Sequence, residues 1–304
     1  MSALSGILLK LGSVVLFVVM SALIKAASAD VPPGEAVFFR SFLALPVIVV
    51  WLAARRQLTT GLKTTNPLGH LWRGLIGVSA MGCTFAGLGM LPLPEVTAIG
   101  FAAPILTVVF GALLLGERIR LFRMSAVSVG LVGVTIIVWP RLTLDNAQSG
   151  AALGAGLVLL SCVFRALAQI QIRRLVAHED TAAIVFYFSL MSTLLSLLTV
   201  PFGWVVPSPN TAALLVSAGL IGGIAQILIT SAYRHAEAGL LAPFDYAAML
   251  FALVIGYVVF GDVPTTWMLA GASLVIASGV AIIWRERQLG LKRGRARSGM
   301  APQG

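Results

Sequence analysis

Apolar stretches long enough to cross a lipid bilayer recur along this whole sequence, and they restrict its fold more than any other feature. Each stretch holds about 18–24 residues with few or no charges, and about 20 such residues in a helix span a hydrocarbon core of ~30 Å. Hydrophobic residues make up 59% of the chain and charged residues only 11%, too few for the surface of a soluble protein. The sequence therefore predicts an integral membrane protein.

Polar breaks divide the chain into ten predicted spans. Backbone amides in hydrocarbon can pair only with each other, and the alternation of a β-barrel is missing, so every span should be a helix. The first span is longer than the apolar core of a signal peptide and precedes no clear cleavage site, so we expect it to be retained. The predicted fold is all-α integral membrane, with approximate spans at 6–27, 35–53, 71–90, 95–115, 122–139, 151–172, 182–203, 211–233, 239–260 and 265–284.

The distribution of lysine and arginine predicts the orientation of the spans. If both termini are cytoplasmic, nearly all of the 21 basic residues fall in cytoplasmic segments or spans, and the external loops hold only Arg141. Basic loops are retained on the cytoplasmic side, so we expect a bacterial inner-membrane protein with both termini inside. The net charge of +10 faces anionic lipid, and the basic tail after Arg285 is interpreted as a topology anchor rather than a nucleic-acid site.

The two halves of the sequence resemble each other at a nearly constant offset of about 145 residues. The matching segments are 74–77 with 219–222, 116–117 with 261–262, and Trp139 with Trp284; Ser21 and Lys25 match Arg165 and Gln169 at about 144. Five spans per half is an odd number, so the second half should cross the membrane in the opposite sense. Inverted repeats are typical of secondary transporters, although a duplication without alternating access also fits a channel. We expect repeats at 1–145 and 146–285 and a basic, disordered tail at 286–304.

Glycines and prolines inside the spans predict close helix contacts and bends. Spans three and eight carry several glycines, which let helix backbones approach each other. Pro104 and Pro243 lie inside spans four and nine, where a proline interrupts the helical hydrogen bonds. Such bends suit a gated protein, and each proline could equally be purely architectural.

Two related segments resemble the EamA-type members of the drug/metabolite transporter superfamily. They are LPLPEVTAIGFAAPILTVVFGALLLGER at 91–118 and AGLLAPFDYAAMLFALVIGYVVFGDVP at 238–264, and the resemblance extends over essentially the whole chain. It implies ten helices around a central cavity and the export or import of metabolites. The LLAPFDY stretch is most similar to the subgroup of riboflavin importers and S-adenosylmethionine uptake carriers, which makes riboflavin uptake the first specific hypothesis.

Charged groups inside spans are costly and are candidates for function by default. Lys25 and Arg40 lie near the outer ends of spans one and two, and Glu95 opens span four from the same side. We expect them to form an outer polar vestibule in which Glu95 neutralises one of the cations. Lys25 could instead reach back to the interface.

A second set of candidates is predicted near the inner ends of spans six and nine. Arg165 and Asp245 should lie at similar depths, about 12 Å from the cytoplasmic side, so we expect them to pair, as a substrate site or as a structural latch. Gln169 lies one helical turn from Arg165 on the same face. Further candidates for the cavity wall are Gln226, Tyr246, Tyr187, Phe85 and Phe101, where aromatic rings would suit a planar solute.

Several other function classes lack their sequence signatures. No phosphate-binding G-x-x-x-x-G-K-[ST] loop and no H-E-x-x-H motif is present, so we expect neither an ATP-driven pump nor a metallohydrolase, and predict no cofactor and no metal. The expected partners are a small-molecule solute and the lipid bilayer, with no nucleic acid. A channel or lipid flippase remains the rival. If transport is proton-coupled, Glu95 or Asp245 is the expected proton carrier.

Overall fold

The computed structural model describes residues 3–58, 61–115, 121–142, 150–175, 178–235 and 241–298. Within these ranges all regular structure is helical; nine helices are long and apolar enough to cross a membrane, and the shorter apolar segment Phe244–Phe260 makes a tenth. These segments coincide with the ten predicted spans, which confirms the all-α fold. The helices are α1 Ala3–Ala27, α2 Pro33–Ala54, α3 Pro67–Met90, α4 Leu93–Gly100, α5 Ala102–Leu115, α6 Leu121–Leu142, α7 Ala151–Leu175, α8 Thr181–Ser196, α9 Pro209–His235, α10 Ala247–Phe260 and α11 Thr266–Ser298.

Prolines begin three of the long helices. Pro33, Pro67 and Pro209 are the first residues of α2, α3 and α9, where the missing N–H would have no intrahelical partner and the fixed φ suits the first turn. Asn66 caps α3, because its side-chain oxygen accepts a hydrogen bond from the Gly69 N–H at 2.8 Å. Local chemistry therefore sets where these spans enter the bundle.

Both spans predicted to bend are interrupted. Span four consists of α4 and α5, which are separated at Phe101. The cause is Pro104, which has no N–H to give to the Gly100 carbonyl and whose ring crowds that carbonyl. In span nine, Pro243 lies in a 3-10 turn, Ala242–Tyr246, that leads into α10. A second 3-10 turn, Leu197–Phe202, follows α8.

Helix contacts between the two halves come in matched pairs. α1 packs along α9, and the repeat equivalents of these helices, α7 and α3, also pack together. In the same way α2 packs on α9 and α8 packs on α3, while α6 packs on its own equivalent, α11. This arrangement is the one expected of two inverted repeats related by a pseudo-two-fold axis.

The crossing of α6 with α11 is a contact between backbones. A Cβ atom placed on Gly133 would lie 2.7 Å from the Gly271 carbonyl oxygen, and one on Gly271 would lie 2.4 Å from the Gly133 oxygen. Each glycine therefore leaves room for the other helix, as in other close helix pairs in membranes.

The structure differs from the sequence prediction at the C-terminal tail. The segment 286–304 was expected to be disordered, whereas α11 continues as a helix through Ser298. No proline interrupts the helix between 286 and 298, and the division of the chain into two repeats and a cytoplasmic tail stays a prediction. Residues 299–304 lie outside the described ranges.

Candidate functional site

An ion pair between Lys10 and Asp245 joins the two halves inside the bundle. The Lys10 Nζ lies 2.6 Å from the Asp245 Oδ1, and the side chains are 1% and 48% exposed, respectively. Asp245 lies in the 3-10 turn before α10, and this turn packs against α1, which carries Lys10. A buried lysine requires such a partner, because its charge has lost its water.

The predicted pairing of Arg165 with Asp245 is therefore wrong. The pairing was predicted because the two residues should lie at equal depth, but depth does not determine which helices are neighbours. α7, which carries Arg165, packs against α3 and α5, and the Arg165 guanidinium lies beside Gly100, 3.2 Å from the position of a Cβ there. Arg165 and Gln169 are both exposed on α7, so their role in a cavity wall stays a prediction.

The other candidates of span nine and its neighbours lie close to the Lys10–Asp245 pair or in a narrow recess. The rings of Tyr246 and Phe101 are 5.1 Å apart, and the Tyr246 hydroxyl fills the space that a side chain at Gly279 would need. Gln226 lines a recess with Ile48, Trp51, Ala182, Val185, Ile227 and Thr230. Its volume of about 10 Å³ has room for roughly one water molecule.

A second polar group, the Glu95 cluster, lies where α4 begins. Glu95 accepts two hydrogen bonds from the Arg141 guanidinium, one of them from Nε at 3.0 Å. Lys25 Nζ donates to the Leu91 carbonyl at 2.7 Å and lies within electrostatic range of Glu95 and Asp262. An outer vestibule at this point stays a prediction. Lys25 and Glu95 are near each other, but the cation paired with Glu95 is Arg141, because α6 packs against α4.

Arg40 is separate from this cluster and lies with Arg73 around one aromatic ring. The guanidinium carbons of Arg40 and Arg73 lie 5.9 and 4.1 Å from the centroid of Phe188, on α8. The two charge centres are therefore no more than about 10 Å apart. Arg40 is only 5% exposed, and we call these two residues the arginine pair.

The arginine pair lacks the partners that buried cations normally have. The Arg40 Nε and the Arg73 Nε and Nη1 are buried without a hydrogen-bond acceptor, and no carboxylate in the described part of the chain forms a salt bridge with either guanidinium. Repulsion between unit charges at this separation is about 2 kcal/mol at an effective dielectric constant of 20. The contacts with Phe188 offset part of this cost through its negative ring face.

Sequence reasoning missed Arg73 and Lys10 for the same reason. Both lie close to the cytoplasmic ends of predicted spans and were counted with the basic residues that set the topology, so neither was considered as a group inside the bundle; the spans that carry them begin earlier, at Leu4 and Pro67. A usable signal was present for Arg73, since Asn66-Pro67 marks a helix start nearly two turns before it and Gly77 follows about one turn later. Together these residues place Arg73 inside the helix with room to turn inward.

At one end of the bundle, Glu179 holds the loop that precedes α3. Its Oε1 accepts hydrogen bonds from the Thr65 and Asn66 N–H groups at 2.7 and 2.9 Å and from the Thr64 and Thr65 hydroxyls at 3.0 and 2.9 Å. Burial raises the pKa of Glu179, but these bonds and the nearby His70 lower it to about 2. We call this the Glu179 contact.

At the opposite end, Glu35 holds the loop that precedes α9. Its Oε2 accepts a hydrogen bond from the Val205 N–H at 3.1 Å, and the Thr211 hydroxyl donates to Asp30. Glu35 and Glu179 are equivalent in the repeat, at an offset of 144 residues. Each half therefore uses the same glutamate to bind a loop of the other half, at opposite ends of the bundle.

Comparisons with known proteins agree on one class. The model of the EamA-like transporter family matches residues 4–139 and again residues 152–284. The pseudopaline exporter CntI of Pseudomonas aeruginosa (strain UCBPP-PA14) is 32% identical over 91% of this chain and 95% of its own. The S-adenosylmethionine uptake transporter of Rickettsia prowazekii (strain Madrid E) is 25% identical over 84% of each chain. A crystal structure with 21% identity aligns with a TM-score of 0.65 over 92% of this chain and 97% of that one, which shows a shared fold.

Proposed function

Since the chain belongs to the EamA-like transporter family, we propose that it is a secondary carrier that moves a small organic metabolite across the bacterial inner membrane by alternating access. The observation that carries this proposal is the pair of equivalent glutamate contacts at opposite ends of the bundle. Two halves that bind each other in the same way at both ends can release one contact while keeping the other. That exchange opens one side at a time.

The interior offers polar groups for a solute between the halves. The Lys10–Asp245 pair connects α1 of the first half with span nine of the second, and the arginine pair of the first half meets Phe188 of the second. Charged groups at such depth are expensive unless they serve a solute path or a partner. A carrier makes use of both groups as the halves move.

The relatives differ in their solutes and in the direction of transport. The two named relatives carry different compounds, pseudopaline outwards and S-adenosylmethionine inwards, and neither name includes riboflavin. Riboflavin uptake therefore rests on the LLAPFDY resemblance alone and enters the test as one solute among several. Orientation with both termini in the cytoplasm rests on the distribution of basic residues.

Transport by purified protein in liposomes tests the carrier mechanism. Vesicles loaded with one unlabelled solute from a panel (riboflavin, S-adenosylmethionine, aromatic and small amino acids, di- and tricarboxylates) should accumulate the same labelled solute by exchange. A channel would equilibrate the label without such counterflow, and a lipid flippase would move none of the soluble compounds. Either result would refute the carrier.

The same vesicles test the energy source. Glu95 and Asp245 are the carboxylates of two ion pairs inside the spans, and carboxylates inside a membrane are typical of proton relays. An imposed pH gradient should then drive net accumulation in the parent and lose its effect in Glu95→Gln or Asp245→Asn. Exchange that ignores the gradient would indicate facilitated diffusion.

A further inference from the structure

The arginine pair is the strongest unexplained feature inside the bundle. Most buried cations pair with a carboxylate, whereas the Arg40 Nε and the Arg73 Nε and Nη1 have no acceptor. Both side chains contact Phe188, which can hold a cation near its ring but cannot neutralise it. Two guanidinium groups that converge without an anion have the composition of an anion site.

The direction of the Arg73 side chain supports this interpretation. A long basic residue near the end of a membrane helix ordinarily extends toward the interface, where its charge is hydrated. Arg73 does the opposite. Its Nη1 lies beside Gly77, one turn deeper along α3, only 2.2 Å from the position of a Cβ there. The glycine therefore provides the space into which the guanidinium turns inward.

A second glycine lies beside Arg40 in the other half. A Cβ at Gly222, on α9, would lie in ordinary contact with the Arg40 Nε, at 3.5 Å. Gly77 and Gly222 end the two copies of the repeated Gly-Leu-Ile-Gly segment, so equivalent repeat positions lie next to the two guanidinium groups. The arginine pair thus lies between equivalent points of the two halves, where inverted-repeat carriers bind their substrates.

The depth of the pair agrees with a central site. Arg40 is seven residues after the start of α2, or about 10 Å at 1.5 Å per residue. Arg73 is six residues after the start of α3, which enters from the other end, or about 9 Å. Since Arg73 extends inward and both groups reach Phe188, they meet near the middle of the bilayer core of ~30 Å.

We propose that Arg40 and Arg73 bind a carboxylate or phosphate group of the transported solute, and that the solute is therefore an organic anion or a zwitterion with an exposed anionic group. This assignment rests on the proposed carrier function. Phe188 holds the two guanidinium groups next to each other, and an anion would replace that weaker contact with charge-assisted hydrogen bonds to the unsatisfied N–H groups.

Binding to purified protein in detergent tests the site without requiring transport. The probes are inorganic phosphate, succinate with succinamide as its neutral counterpart, and riboflavin 5′-phosphate with riboflavin. At least one anion should raise the melting temperature by about 2 °C or more at saturation, and its neutral counterpart should not. No shift with any anion, or equal shifts with the neutral compounds, overturns the proposal.

Variants assign the response to the two residues. Arg40→Gln and Arg73→Gln should each raise the anion concentration needed for half of the melting-temperature shift at least tenfold. Arg40→Lys and Arg73→Lys should keep the shift at lower affinity. Arg174→Gln, at an exposed position, should match the parent. Without anion, the Gln variants should melt at or above the parent temperature, since the contact with Phe188 that they lose is weaker than the cost of burying two like charges that they remove. Lower melting with an intact anion response would show a structural role and overturn the proposal. If a Gln variant fails to fold, an anion response of parental affinity in both Lys variants overturns the proposal.

Two further experiments distinguish a lipid from a transported solute as the bound anion, and a failure of the anion site from a failure of the carrier mechanism. Lipid phosphates have the same chemistry, so short-chain phosphatidylglycerol is titrated alongside; a shift with the lipid alone overturns assignment to a solute. In liposomes, full transport of a solute by both Gln variants would overturn the anion site and leave the carrier intact. An arginine-dependent melting shift with no exchange of any solute would refute the carrier and leave the anion site intact.

Discussion

The Glu179 contact gives a prediction whose size follows from its hydrogen bonds. Glu179→Ala removes the acceptor of the Thr65 N–H group and the nearer acceptor of the Asn66 N–H group, which keeps only a longer hydrogen bond to the Thr64 hydroxyl at 3.2 Å. An unmet buried donor costs about 1–3 kcal/mol. Thr65 and Asn66 are themselves exposed, so water replaces part of the loss, and we expect about 1 kcal/mol for each N–H. The loop should therefore be about 2 kcal/mol easier to open.

Trypsin cleavage after Lys63 in the detergent-purified protein measures this opening. Lys63 is exposed in the loop held by Glu179, and cleavage requires the loop to leave its contacts. A change of about 2 kcal/mol corresponds to about a 30-fold higher open population and cleavage rate. Glu179→Gln should fall between parent and Glu179→Ala. The matched control is Asp180→Ala, since Asp180 is exposed and its side chain forms no cap hydrogen bond.

The same contact predicts a pH dependence with a defined sign. The pKa of Glu179 is lowered from 4.5 to about 2 in the folded protein, so its stabilising effect is complete above about pH 4.5 and is lost as the pH falls toward 2. The difference in melting temperature between parent and Glu179→Gln should be constant above pH 4.5 and shrink below it. A cleavage rate in Glu179→Ala equal to that of Asp180→Ala, or a difference that grows on acidification, would refute the reasoning.

Three further predictions follow from other contacts. Asp245→Asn should lower the stability by about 2 kcal/mol because it removes the charged partner of the buried Lys10 ammonium, less than in fully buried pairs since Asp245 is 48% exposed; Lys10→Met combined with it should restore most of the melting temperature, and an equally low double variant would contradict the pairing. Gly271→Ala should cost about 1–3 kcal/mol in thermal unfolding, because its Cβ would lie 2.4 Å from a carbonyl oxygen, whereas Gly82→Ala, with nothing within 4 Å, should not destabilise. Val206→Cys, at a position 97% exposed, should react with an impermeant maleimide on intact cells; protection there with labelling in inside-out vesicles would reverse the proposed orientation.

The sequence predicted those features of the fold that depend on local chemistry. Apolar length predicted the ten spans, and Pro104 predicted the break that occurs at Phe101. The repeated Gly-Leu-Ile-Gly segment revealed the duplication. All of these depend on residues near each other in the chain, where the physics of helix formation in lipid leaves few alternatives.

Side-chain partners were harder to predict, because they depend on which helices are neighbours. Asp245 pairs with Lys10 from the first span, and Glu95 pairs with Arg141 from the end of the following span; depth alone could not select either partner. The repeat offset contained part of the answer. It relates Glu35 to Glu179, but neither glutamate drew attention, since a carboxylate beside a loop is usually hydrated.

The two glutamate contacts are unequal, and this difference has a consequence for the resting protein. Glu179 accepts four hydrogen bonds, whereas Glu35 accepts one from Val205. In a protein that alternates between two states, each 1.4 kcal/mol of such imbalance changes their ratio about tenfold. Without solute, the carrier should therefore be mostly in the state that is closed at the Glu179 end and can open to solute at the Glu35 end.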